Sequence, residues 1–169
     1  ASGSGNSEVF NDSEGVLFAN IAANSDDLTF RLISLSDGTS NNRIYLGFNN
    51  TTNTIYLVSE VGGLTQVLIT YAVTSITDFM KLAVKYKVND YSLYFNGFEV
   101  ATDTLGTVPS GLSSLQFNSG AGFSTFYGKT KEVGYYNTIL TDLELETLTS
   151  YKSWTSMVNE LNLNIIYNG

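Results

Sequence analysis

Neither cysteine nor histidine occurs anywhere in the 169 residues. Their absence removes disulfides, thiolate metal sites, the Ser-His-Asp and Cys-His arrangements, and all histidine general acid–base chemistry. Zinc rarely binds without one of the two, so only carboxylates remain for catalysis or for a hard cation. Proline occurs once, at Pro109. Charge is scarce as well: 14% of the residues are charged, against about a quarter in ordinary globular chains. Eight basic residues face 16 acidic ones, for a net charge of −8. The basic cluster Lys81, Lys85 and Lys87, with Lys129 and Lys131 later, is too thin for a nucleic-acid footprint. No apolar run is long enough to span a bilayer, and no signal peptide is visible.

What is present is apolar and aromatic. Hydrophobic residues make up 43% of the chain, and it holds 11 Tyr and 10 Phe. That length and composition suit one domain with a real core. Asn, Ser and Thr supply the polar surface, a mix common outside the cell. The opening Ala1-Ser-Gly-Ser-Gly5 reads as a flexible linker or cloning scar. The expected organisation is a linker over 1–7, one sandwich domain over 8–150 and an extension over 151–169.

Strands are marked by period-two alternation between turn signals spaced roughly eight to twelve residues apart, the spacing of a sandwich or barrel. Segments 15–21, 28–35, 43–48, 54–61, 64–73, 79–88, 91–96, 98–102, 112–118 and 127–136 fit this pattern. In 79–88, Leu82, Val84, Tyr86 and Val88 share one side, while Lys81, Ala83, Lys85 and Lys87 share the other. Such alternation is that of an antiparallel sheet with one wet face. Asn96-Gly97 is the strongest hairpin signal in the chain. The period then changes. Thr141-Asp-Leu-Glu144 reads as a capping box, followed by a stripe of Leu140, Leu143, Leu145 and Leu148. A second short helix over 153–163 and an added strand over 164–167 are expected in the tail.

Two stretches carry a family resemblance. Lys85-Tyr-Lys-Val-Asn-Asp-Tyr-Ser-Leu-Tyr-Phe-Asn-Gly97 resembles the hairpin of concanavalin A-like, laminin-G-like lectin domains, with its Leu-Tyr-hydrophobic-Asn-Gly segment. Val133-Gly-Tyr-Tyr-Asn-Thr-Ile-Leu-Thr-Asp-Leu-Glu144 resembles the closing strand and helix of the same family. The likeness spans about residues 8 to 150. It implies an all-β, two-sheet antiparallel jelly-roll sandwich with a short C-terminal helix, and a role in binding carbohydrate or protein. The Asn/Ser/Thr-rich style is similar to domains of bacteriophage tail and fibre proteins and of bacterial surface proteins. That implies an extracellular or virion-surface setting. The family's β-glucan hydrolases carry a Glu-x-Asp-x-x-Glu strand, and this chain has none, so no enzyme is expected. Asp142-Leu-Glu-Leu-Glu146 lies on the predicted helix, where no sugar ring fits between the carboxylates.

A sugar site needs aromatic faces for C–H surfaces and amides or charges for hydroxyls. Alternation turns Tyr45, Tyr94, Lys85 and Arg43 away from the core residues beside them, and likewise Gln116 and Asn118. Arg43, Tyr45, Lys85, Tyr94, Gln116 and Asn118 are the expected ligand contacts. The competing reading of such residues is β-propensity and cross-strand packing. Laminin-G-like relatives bind calcium at the sandwich rim, which makes Asp26 and Asp37 the metal candidates, although both also read as turn residues. The expected partner is a polysaccharide or cell-surface glycan, with neither nucleic acid nor membrane insertion. Weak single sites would be amplified by a homo-oligomer formed through the parent protein. The alternative is a structural virion domain contacting other virion or surface proteins.

Overall fold

The computed structural model describes residues 9–150. The expected linker and the helix and strand expected beyond 150 lie outside the described residues. Among the described residues ten strands run in chain order: β1 (Glu14–Ala23), β2 (Arg31–Ser36), β3 (Arg43–Phe48), β4 (Thr54–Val61), β5 (Leu64–Ala72), β6 (Met80–Lys87), β7 (Tyr91–Phe95), β8 (Phe98–Asp103), β9 (Ser114–Gln116) and β10 (Gly128–Tyr136). One helix, α1 (Asp142–Thr149), follows. All named strand pairs are antiparallel. They form a front sheet of order β5-β4-β3-β2-β9 and a back sheet of order β10-β1-β6-β7-β8. This is the antiparallel sandwich that the alternation allows, in the jelly-roll form that the family resemblance implies.

The core is made by the facing sides. Ile33, Leu35, Ile44, Leu46, Phe48, Ile55 and Leu57 of the front sheet meet Leu17, Ala19, Ile21, Leu82, Val84, Tyr86 and Leu93 of the back sheet in one buried cluster. Period-two alternation puts each set on one face. Burying one of these side chains contributes roughly 1.5–3 kcal/mol. Asn96 and Gly97, both with positive φ, close the β7–β8 hairpin.

The sequence reading fails at several places. Leu28 is expected in a strand, but it sits at φ 60 and is 52% exposed, and β2 begins only at Arg31. Phe117 is expected to face the core, yet β9 ends at Gln116 and Phe117 is 43% exposed. Leu143 of the predicted apolar stripe points outward, with Leu145 the buried leucine. The outer face of the back sheet is not left to solvent. Helix α1 lies over it, and Leu145 packs with Val16, Phe18, Ala83 and Tyr94 in a second cluster.

The start of α1 is held as the sequence predicts. The Glu144 backbone N–H donates to Thr141 Oγ1 at 3.3 Å, and the Thr141 N–H donates to Glu144 Oε2 at 2.8 Å. The Thr141 N–H and hydroxyl, each donating to Glu144 Oε2 at 2.8 Å, hold the Glu144 carboxyl below its ordinary pKa. Thr141→Ala is expected to cost about 1 kcal/mol, read as a lower urea midpoint with an unchanged slope.

Candidate functional site

The outer face of the front sheet carries the functional candidates. Outward positions on β3 are Arg43, Tyr45 and Gly47, since Ile44, Leu46 and Phe48 fill the core. Antiparallel pairing sets Arg43 opposite Glu60, Tyr45 opposite Val58 and Gly47 opposite Tyr56 on β4. On the other side, Gly47 pairs with Leu32 and Tyr45 with Ser34 of β2. Leu32, Tyr45 and Val58 make a small buried cluster, with Phe30 and Tyr56 packed on it. The Phe30 and Tyr56 rings are 5.6 Å apart, and Tyr45 and Tyr56 are 5.8 Å apart.

One border of this face is the glycine-rich loop 117–127. Asn118 organises it, because its Oδ1 accepts from the Gly120 and Gly122 N–H groups at 2.7 and 3.3 Å. The loop is tied to β2 by the Leu32 N–H donating to the Ser124 carbonyl at 3.1 Å. It lies so close to the sheet that a Cβ on Gly120 would approach Ser36 Cβ to 2.7 Å. Between loop and sheet is a cleft of about 250 Å³ lined by Phe30, Leu32, Arg43, Tyr45, Tyr56 and Phe123, with Ser40, Ser119 and Ser124. Phe123 is 75% exposed at its mouth.

The polar floor is an ion-pair network. Arg43 Nε donates to Glu60 Oε2 at 2.7 Å, and its Nη1 donates to the Ser119 carbonyl at 2.6 Å. The guanidinium lies 4.9 Å from the Tyr45 ring centroid, and Tyr45 Oη donates to Glu60 Oε1 at 3.1 Å. Burial, then the neighbouring Tyr56 and Glu60, push the Tyr45 phenol well above its ordinary pKa, with Arg43 opposing. The register of β4 against β5 shifts between Ser59 and Glu60. Such bulges are frequent beside binding sites, where they re-aim a side chain.

Of the six expected ligand contacts, the front sheet and its loop hold four. Arg43 and Tyr45 line the cleft. Gln116 is engaged within the sheet, donating to Ser114 Oγ at 2.9 Å, and Asn118 shapes the loop. Lys85 and Tyr94 do not share that face: β6 and β7 belong to the back sheet. Tyr94 does turn away from the main core, but it is fully buried beneath α1. Its hydroxyl lies 2.9 Å from Glu99 Oε2 and 2.8 Å from Asp142 Oδ1. Lys85 is paired with Asp90 at 2.9 Å and Asp142 at 3.8 Å.

The metal candidates sit in different loops. Asp37 uses both oxygens in its own turn, accepting from Thr39 N and Oγ1 and from Asn42 Nδ2. Burial acts to raise its pKa, but those bonds prevail and hold it low. Asp26 accepts from the Asn53 N–H at 2.9 Å, while its Oδ1 is buried with no hydrogen-bond partner. Calcium takes six to eight oxygens. Among the described residues no group of three acidic, Cys or His side chains gathers.

Sequence reasoning missed Glu60, Tyr56, Phe30, Ser119 and Phe123. A partial signal was available for the first two: a turn at 49–53 brings β4 back beside β3, but it sets 48 opposite 54, and the observed pairing of 47 with 56 and 43 with 60 is one residue further on. Opposite charges in such cross-strand positions attract.

A laminin-G-like family model, described as the concanavalin A-like lectin/glucanases superfamily, matches residues 9–146. The chain belongs to that superfamily. No curated protein sequence matches the chain. Among solved structures it is similar to the CBM40 of the Ruminococcus gnavus IT-sialidase bound to α2,3-sialyllactose. That likeness has a TM-score of 0.68 and 18% identity over 89% of this chain and 94% of that one. It is similar to Domain 4 of AbnA, a GH43 extracellular arabinanase from Geobacillus stearothermophilus, in complex with arabinotriose (TM-score 0.64, 15% identity, 86% of this chain and 70% of that one). A heptameric SAP-like pentraxin from Limulus polyphemus aligns with a TM-score of 0.63 at 15% identity, over 81% of this chain and 70% of that one. At these identities the likeness is one of fold.

Proposed function

We propose that this domain is a non-catalytic carbohydrate-binding module that holds a surface polysaccharide in the front-sheet cleft. The observation that carries this reading is the lining itself. The aromatic side chains of Phe30, Tyr56 and Phe123 share it with the serines Ser40, Ser119 and Ser124. Stacking rings meet the C–H faces of a sugar, and the hydroxyls meet its polar edge. Two relatives of the same fold are described with bound oligosaccharides, which supports the assignment. The cleft lining includes no carboxylate. The nearest acid, Glu60, is held by Arg43 and Tyr45, whereas glycoside hydrolysis needs a pair of carboxylates flanking the bond. A single shallow cleft binds weakly, so the natural setting is a secreted or surface protein, or a fibre, presenting several copies.

Calorimetry against a panel of bacterial and plant oligosaccharides tests this. Tyr56→Ala is expected to lower affinity by about tenfold or more, from the loss of one aromatic stacking partner at a binding hot spot. Retention of full affinity in both Tyr56→Ala and Phe123→Ala would place the ligand elsewhere.

A second reading, a structural domain of a virion or surface assembly, is favoured by a different feature. Edge strand β5 carries no charged residue from Leu64 to Ala72, and its Leu64 and Leu68 are 69% and 58% exposed. Uncharged edges invite strand pairing. A stable oligomer in light scattering, with no glycan binding, would favour this reading over the first.

A further inference from the structure

Resting on the carbohydrate-binding reading, we infer that the cleft selects uncharged glycans and that Glu60 is the residue that sets this choice. Arg43 is the one charged side chain in the cleft lining. A free guanidinium there would favour the carboxylate of a uronic or sialic acid, because a planar fork of N–H donors pairs with it in charge-assisted hydrogen bonds. Arg43 is not free. Its Nε is given to Glu60 at 2.7 Å and its Nη1 to the Ser119 carbonyl at 2.6 Å. Both partners of the pair are largely withdrawn from water, each with 14% of its side chain exposed. Both Glu60 oxygens are engaged, one by Arg43 and the other by Tyr45.

The pair therefore enters the cleft as a neutral unit. A sugar carboxylate that claimed Arg43 would leave Glu60 buried without its cation, which is strongly unfavourable. Beyond the lining, the chain as a whole carries a net charge of −8, and Arg31 of β2 is paired with Asp27. An approaching anion meets a repulsive field.

What the cleft offers instead suits a neutral sugar. Apart from Arg43, its lining is aromatic, aliphatic and serine. A serine hydroxyl both donates and accepts, as a sugar hydroxyl does. Neither role requires charge.

The test compares the wild-type chain with Glu60→Gln. Glutamine keeps an acceptor for Arg43 and removes the compensating charge. The probes are neutral oligomers (cello-, manno-, malto- and arabino-hexaose) and acidic ones (oligogalacturonate and sialyllactose), measured by calorimetry at about 50 and 500 mM salt, a range that shortens the screening length severalfold. The wild type is expected to bind a neutral oligomer with little salt dependence and the acidic ones at least about tenfold more weakly. Glu60→Gln is expected to gain about tenfold for the acidic probes, and adding Arg43→Met should abolish that gain. Wild-type preference for an acidic probe, weakening with salt, would overturn the inference.

A second measurement separates this from failure of the carbohydrate reading. The Arg43 Nε–H resonance is followed by NMR during titration with galacturonate. It should stay fixed in the wild type and shift saturably in Glu60→Gln. A saturable wild-type shift sinks the charge argument. If no oligomer binds the wild type while the resonance behaves as expected, the carbohydrate reading alone falls.

Discussion

Gly47→Ala is expected to destabilise the domain by roughly 3 kcal/mol or more, because it strains the backbone in the middle of a buried sheet. Gly47 has φ +154, outside the range that side chains ordinarily accept. A Cβ built there would collide with the Arg31 carbonyl and lie 3.1 Å from Leu32 Cα. Both are backbone atoms of the neighbouring strand, so no side chain can swing away. The strand would have to move, and β2 is central: it bonds to β3 on one side and β9 on the other. A fall in melting temperature of roughly 8 °C or more is the expected reading. The same change should weaken glycan binding, since Gly47 lies in the sheet between Leu32 and Tyr56, both of which line the cleft. A variant melting within about 2 °C of the parent would show that the two strands do not approach so closely.

Alkali should unfold this protein in one cooperative step above pH 10. Burial raises the pKa of Tyr45, Tyr86, Tyr91 and Tyr94, in each case as the largest influence, and Tyr91 is pushed up to about 12. Their hydroxyls are also hydrogen-bonded: Tyr86 donates to the Asn11 carbonyl at 2.7 Å and Tyr91 to the Thr107 carbonyl at 2.8 Å. Folded pKa values lie above the unfolded value near 10. Between the two, the folded chain keeps protons that the unfolded chain releases. The resulting stability is whole below pH 10 and declines as pH rises through the folded values. Each such tyrosine removes about 1.4 kcal/mol per pH unit. Four acting together would exhaust a typical stability of about 5–15 kcal/mol within one to three units. Phenolate absorbance from these residues should rise together with loss of the far-UV β signal. Full ionisation of all tyrosines in a still-folded chain would contradict the burial described here.

Much of the fold is readable along the chain because its determinants are local. The alternation of Ile44, Leu46 and Phe48 against Arg43, Tyr45 and Gly47 needs only the period of a strand. Asn96-Gly97 and the Thr141–Glu144 box act within a few residues of themselves. Ends are less legible. The expected strands overrun at Leu28 and Phe117, where hydrophobic residues continue past the last ladder bond.

The candidate site divides along the same line. Local parity turned Tyr45 and Tyr94 away from the core, and both do point away from it. Parity carries no information about what lies on the far side. Over Tyr94 lies α1, brought there by Leu145 packing on Val16, Phe18 and Ala83. Beside Tyr45 lie the loop that contributes Ser119 and Phe123, and Glu60 across the β3–β4 hairpin.

Residue order alone carries the class of fold, the hairpin and helix punctuation, the lack of thiol and imidazole chemistry, and the apolar side of most strands. That one outward tyrosine is sealed under a helix while another floors a cleft, and that Arg43 arrives there already paired, is settled by contacts between distant segments. The difference is one of range. Strand period and capping are set by bonds between near neighbours, whereas burial and charge compensation depend on which distant segments the sheet order brings into contact.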